Sequence, residues 1–275
     1  MNLHKTVQRF STESISDPYG VGASFLGSIR PFNEITNSGP SSRRRILETV
    51  PTVAMFTNYV VQHAGTIYIV GGKNTDSWRG EVIRSKYPIL PCDVTGRIAT
   101  VQQILTAAIP AKVVYAYPHF AKRAAVEDEE SEVDSRFYLY MSMAETIAKG
   151  QIVIQGSKYY RVQSDPHLDG ALFQVVEALL LDSPVQTLTY VKATGYNPAT
   201  DTITNGTTAP VTSFVEDAYL CYDHTSERRA LLKPGDRNIT FNHASPPVAG
   251  DTIGGYKILS IDTITGAFSC HCRRV

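Results

Sequence analysis

The sequence has no surplus of either charge. Its 26 Lys and Arg are matched by 26 Asp and Glu, so the formal net charge at pH 7 is zero. A protein that neutralises nucleic-acid phosphates over a broad face carries a basic excess, so that class is set aside, although balance leaves room for a local basic patch. Charged residues make up only 19%, below the usual ~25%, and near-neutral chains self-associate more readily. Cysteine is scarce, four in 275 residues, too few for a disulfide framework. No apolar run approaches the ~18 residues that would span a bilayer. The N-terminal MNLHKTVQRFSTESISDPYG lacks the apolar stretch of a secretory leader. The chain is therefore expected to be made in a cytoplasm and to stay soluble, which leaves the Asn-x-Thr triplets at Asn205 and Asn238 as incidental matches. The common catalytic signatures are missing too: there is no Walker A loop, GxSxG or HExxH. The Gly-Gly-Lys of YIVGGKNTD (68–76) lacks the flanking residues of a phosphate loop and reads as a hairpin turn.

What is present is a chain with 43% hydrophobic residues, enough for a real core, and a length that suits one large domain or two ordinary ones. Residues 1–57 are rich in Ser, Gly, Pro and Asn without a sustained period. They read as an extended N-terminal arm that orders on a neighbour, or as a disordered tail. From Tyr59 onward, β-branched and aromatic runs broken at Gly71-Gly72 and around residues 74–76 predict two or three strands. RIATVQQILTAAI places apolar residues at 98, 101, 104, 105 and 108, which predicts a helix over 97–109 closed by Pro110. KVVYAYPHF (112–120) and RFYLYMSM (136–143) alternate as strands. Asp182-Ser183-Pro184 reads as a linker, and residues 185–223 are short alternating strands with turn residues between them. The expected fold is mainly β: two tandem small barrels or sandwiches, 58–183 (with the helix) and 184–275, preceded by the arm at 1–57.

The two modules share a pattern. MSMAETIAKG (141–150) lies on FNHASPPVAG (241–250) without gaps at an offset of 100 residues. Beyond the glycine, Ile152-Val153-Ile154 correspond to Thr252-Ile253, Tyr160 and Val162 to Tyr256 and Ile258, and Gly170 and Phe173 to Gly266 and Phe268. Self-similarity of this kind suggests one module used twice. Gly150 and Gly250 precede strands where a positive φ suits glycine. Gly156, Gly235, Gly254 and Gly255 mark further turns. After the last of these, Tyr256, Ile258 and Ser260 are expected on one strand face and Lys257, Leu259 and Ile261 on the other.

The second half resembles the head-closure (stopper) and head–tail connector proteins of tailed bacteriophages. The resemblance rests on TYVKATGYNPATDTIT and LLKPGDRNITFNHASPPVAGDTIGGYKILSID: a PGD turn at Lys233-Pro234-Gly235-Asp236, a GD turn at Pro247-Val248-Ala249-Gly250-Asp251, then Gly254-Gly255-Tyr256-Lys257-Ile258. It covers residues 186–275, a third of the chain, and the first half departs from the family pattern. It implies a structural virion protein without cofactor, not an enzyme: a small barrel with long insertions, assembled in the host cytoplasm into a neck ring of six or twelve copies. A portal or adaptor ring would sit above it and tail proteins below. Genomic DNA would pass through without sequence recognition. Two barrels in each of six chains would match a twelve-fold portal to a six-fold tail. The alternative readings are a tail-completion, tail-terminator or baseplate-adaptor protein with a similar barrel, and a virion-associated hydrolase.

Few residues carry chemistry. Arg43-Arg44-Arg45 reads as an assembly interface toward a protein partner, with DNA phosphates or water as the other readings. Cys270-His271-Cys272 with Cys221 and His224 has zinc-ligand types, but Cys270 and Cys272 lie two apart on a strand and share a face, which suits buried free thiols; an inter-subunit disulfide is the third reading. Asp165, His167 and Asp169 read as a polar hairpin turn or a metal site. The acidic run EDEESEVD (127–134) reads as a solvated loop tip.

Overall fold

A computed structural model describes residues 5–11, 24–31, 43–51, 59–120, 136–171, 173–197, 202–218, 231–264 and 266–275. Their strands fall into three groups along the chain. The first holds β1 (Lys5–Ser11), β2 (Ser24–Pro31), β3 (Arg45–Thr49), β4 (Tyr59–His63), β5 (Thr66–Val70), β6 (Asn74–Trp78) and β7 (Glu81–Pro91). The second holds β8 (Val94–Ala99), the helix α1 (Val101–Leu105), β9 (Val113–Phe120), β10 (Arg136–Met141), β11 (Ile152–Gln155), β12 (Lys158–Val162), β13 (His167–Leu168) and β14 (Gln174–Asp182). The third holds β15 (Val185–Asn197), β16 (Thr202–Asp217), β17 (Arg237–Phe241), β18 (Thr252–Ile253), β19 (Tyr256–Ile264) and β20 (Ala267–Arg274).

Each group closes into a ring of six strands, and the cyclic order is the same in all three. The first runs β1-β2-β3-β7-β5-β4 and returns to β1, the second β8-β9-β10-β14-β12-β11, the third β15-β16-β17-β20-β19-β18. Closure leaves no open edge in the ring itself. The short strands β6 and β13 attach outside it to β7 and β14. The mainly β expectation and the tandem small barrels stand, but the module occurs three times, not twice. The first copy uses the stretch expected as an arm: β1 pairs with β2 and β4, and β3 pairs with β2 and β7.

The 100-residue repeat is visible in hydrogen bonds. The Gly150 N–H donates to Val162 O and the Gly250 N–H to Ile258 O, both at 2.9 Å. The Val162 and Ile258 N–H groups return to Gln151 O and Asp251 O, both at 2.8 Å. Gly150 and Gly250 hold φ of 88° and 103°, which a side chain would strain. The sequence alignment slips by one in the last strand. Met141 faces Gln174 while Phe241 faces Phe268, so Phe268 matches Gln174 and not Phe173. One residue of slip reverses the face, and Phe173 accordingly packs with the first ring's core residues.

The helix is shorter than its periodicity suggests. Arg97 and Ile98 belong to β8, where Arg97 faces Val113. Thr100 opens α1 with a capping box, accepting from the Gln103 N–H while Gln103 accepts from the Thr100 N–H. Ala107, at φ 54°, ends it well before Pro110.

Two compact units result. One spans residues 1–98 and 110–180 and contains the first two rings; the other spans 99–109 and 181–275 and contains the third. In the first unit, Leu47, Val61, Val70, Tyr87 and Ile89 fill one ring; Val94, Leu139, Met141, Val153 and Val162 fill the other. A third cluster joins Val60, Ile69 and Leu90 of the first ring to Tyr115, Tyr117, Tyr140 and Phe173 of the second. In the other unit Tyr190, Ile239, Phe241, Ile253, Ile258, Cys270 and Cys272 make the core. A bulge between Ile258 and Ser260 corrects the expected alternation in β19. The extra residue turns Ile261 back onto the same core as Ile258.

Candidate functional site

The Arg43-Arg44-Arg45 triplet sits where β3 begins, and its side chains diverge. Arg43 Nη1 pairs with Asp93 at 2.5 Å, with about half of each side chain exposed, and its guanidinium lies 6.0 Å from the Tyr117 ring. Arg44 is 8% exposed. It donates to Asp169 and lies over the Phe173 ring at 5.9 Å. Arg45 Nη1 donates to the Arg44 carbonyl at 3.2 Å. Within this chain the triplet thus ties the first ring to the second. Sequence reasoning finds the charges but not the carboxylates that receive them, which lie 50 and 125 residues away.

Asp169 is the acceptor that makes this possible. Its Oδ1 accepts from the Ala171 and Phe173 N–H groups at 3.0 and 2.9 Å, which leaves Oδ2 for Arg44. The SDPHLDG stretch is therefore a polar turn around β13, as its residue types suggest. Gly71 and Gly72 meet the same loop: the Gly72 N–H donates to Ala171 O at 2.9 Å. A Cβ on Gly71 would stand 2.5 Å from Ala171 O and 2.9 Å from Phe173 Cζ, so this glycine is there for close approach.

In the third ring two aspartates hold the turns that carry the family resemblance. Asp236 accepts from the Lys233 N–H at 2.9 Å, from Arg273 Nε and Nη2 at 2.9 and 2.8 Å, and pairs with His271 Nε2 at 2.9 Å. Burial opposes its ionisation, but the Arg273, Lys233 and His271 contacts outweigh that and hold its carboxyl far below the usual carboxylate range. Asp251 is fully buried and accepts from the Tyr190 hydroxyl and from the Ala193 and Val248 N–H groups. Burial, then Asp251, pushes the Tyr190 phenol up. Gly235, Gly254 and Gly255 occupy the adjoining turns, as Gly156 does in the second ring. Tyr256 opens β19 opposite Ile253.

Cys270 and Cys272 point inward and are fully buried. Burial pushes the Cys270 thiol up to about 12 and the Cys272 thiol higher still, so neither is a ready nucleophile or metal ligand. Cys221, His224 and the acidic run 127–134 lie outside the described residues. Among the described residues no cluster of His, Cys, Asp and Glu has metal-binding spacing.

Among the described residues of the first unit, an open cleft of about 410 Å³ lies beside Asp169, walled by Tyr138, Tyr140, Ser164, His167 and Glu177. Comparison with protein-family models, curated proteins and solved structures finds no match to this chain.

Proposed function

We propose that this chain is a structural component of a bacteriophage neck, a ring between the portal of the head and the tail through which DNA passes. One observation carries the reading. The two turns on which the resemblance rests, PGD and GD, are the ones that Asp236 and Asp251 pin in a closed six-stranded barrel. Two features support it. Repetition of the ring three times gives one chain several barrel surfaces for neighbours. The β15–β16 hairpin also reaches past the barrel: β15 meets β18 only at Tyr190 and Val191, and β16 meets β17 only at 213–217. Residues 194–197 and 202–208 are left as a ribbon suited to lining a channel.

With three rings, six copies would present eighteen units, so matching twelve to six by barrel count does not carry over. Imaging of intact particles at subunit resolution tests the proposal. A closed ring of this chain between portal and tail supports it. A ring at the tail tip or at the tail's upper end favours the baseplate-adaptor or tail-terminator alternative, and absence from particles refutes the structural role.

A further inference from the structure

The cleft beside Asp169 has a chemistry of its own. Its floor is the outer face of β10 and β14, where Tyr138 stands between His119 and Glu177, and Tyr140 between Tyr117 and Val175. The first ring covers one end of this face. Tyr140 is 7% exposed and packs with that cover, whereas Tyr138, two residues along, is 37% exposed. The Tyr138 ring is thus offered to solvent from a rigid strand.

Both carboxylates of the cleft are already matched. Arg44 holds Asp169, and Arg136 Nη1 lies 3.4 Å from Glu177 Oε1. The cleft therefore carries no uncompensated charge to select a cation or an anion. Asp169 is spent on two backbone N–H groups and Arg44. Glu177 Oε2, the His167 ring and the Ser164 hydroxyl, which accepts the Glu177 N–H at 2.9 Å, remain at the wall to meet a ligand. An aromatic face with a rim of neutral or neutralised hydrogen-bonding groups fits a molecule with an apolar ring face and hydroxyls around its edge.

We infer that this cleft binds a neutral saccharide, its C–H face on Tyr138 and its hydroxyls on Glu177, His167 and Ser164. The volume, about 410 Å³, accommodates roughly two sugar rings, at the small end of ligand pockets. The inference stands apart from the neck reading, since it rests on the first unit alone.

The test is titration of the full chain, carrying ¹³C-labelled histidine, with maltohexaose, cellohexaose and chitohexaose, and with tetralysine as a cationic comparator. At least one hexaose is expected to shift the His167 resonance saturably, with Kd of about 1 mM or tighter. Tyr138→Ala should then weaken binding at least tenfold and Glu177→Gln about three- to tenfold, while Leu231→Ser, on the other unit, leaves it unchanged. An unaltered resonance of His63, which belongs to the same compact unit as the cleft, would show that the variants remain folded. A shift of His167 by none of the hexaoses, a shift by tetralysine alone, or binding indifferent to Tyr138→Ala would each overturn the inference.

Discussion

Replacing Asp236 by alanine should be among the most damaging single changes in the third ring. The side chain of Asp236 is 1% exposed and collects a backbone N–H, two guanidinium contacts and an imidazole. Hydrogen bonds to a charged group contribute about 1.5–3 kcal/mol each when the partner is left unsatisfied, but they do not add. The Arg273 side chain is 31% exposed and regains some water. The measured cost of breaking a buried pair, about 3–5 kcal/mol, is the better guide for Asp236→Ala. Asp236→Asn keeps the shape and loses the charge, for about 1.5–3 kcal/mol.

Because the single Trp, Trp78, belongs to the other unit, fluorescence would miss the effect. Native-state hydrogen exchange on peptides covering 231–241 and 267–274 reads it directly. Protection should fall by roughly a hundred- to several-thousand-fold at ~1.4 kcal/mol per decade. The pH dependence follows from the sign. The folded carboxyl titrates below its unfolded value of ~3.9, so its contribution is complete above that pH and is lost as pH falls below it. The gap between wild type and Asp236→Ala should therefore close in acid. A loss under ~1 kcal/mol at pH 7, or a gap independent of pH down to acid unfolding, would refute the reasoning.

Arg44→Ala should cost about 2–4 kcal/mol because it leaves Asp169 unmatched, whereas the exposed Arg43→Ala should stay within about 0.5 kcal/mol; urea unfolding followed by Trp78 fluorescence separates the two. Gly71→Ala places a methyl against the Ala171 carbonyl and should lower stability by about 1–3 kcal/mol in the same assay. Glu145 is buried, with Lys112 Nζ 2.9 Å from its Oε2. Burial raises its carboxyl despite Lys112, so ionisation costs stability as pH rises past ~4.3. Glu145→Gln should then be neutral or stabilising by about 1 kcal/mol at pH 7, with the benefit gone in acid; melting curves at pH 4 and 7 check the sign. Cys270 and Cys272 should resist iodoacetamide at pH 8 until their unit unfolds, and rapid labelling of either in the native protein, read by peptide mass, would contradict their burial.

Where the sequence was legible, local chemistry decided the structure. Alternation identifies KVVYAYPHF and RFYLYM as strands, and the glycines before Ile152 and Thr252 locate two equivalent turns. The repeat survives because equivalent residues make equivalent hydrogen bonds. The first ring escapes a reading of the sequence because β1 to β3 are separated by stretches rich in Ser, Gly, Pro and Asn, and only pairing with β4 and β7 across tens of residues identifies them as one barrel. The α1 periodicity misleads because strand pairing claims Arg97 and Ile98, which propensity cannot see. The bulge at Leu259 and the one-residue slip at Phe173 are backbone events without a residue signature. At the candidate sites, the arginines, cysteines and SDPHLDG are plain in the sequence. Their partners Asp93, Phe173 and Glu177 come from other strands and loops, so the cleft exists only once the second ring closes.

The central claim, a ring in the neck, is tested most directly by subunit-resolution imaging of intact particles. A closed ring of this chain between portal and tail is predicted, with the β15–β16 hairpins directed toward the channel axis. Particles in which the chain is absent, or present only away from the head–tail junction, would contradict it.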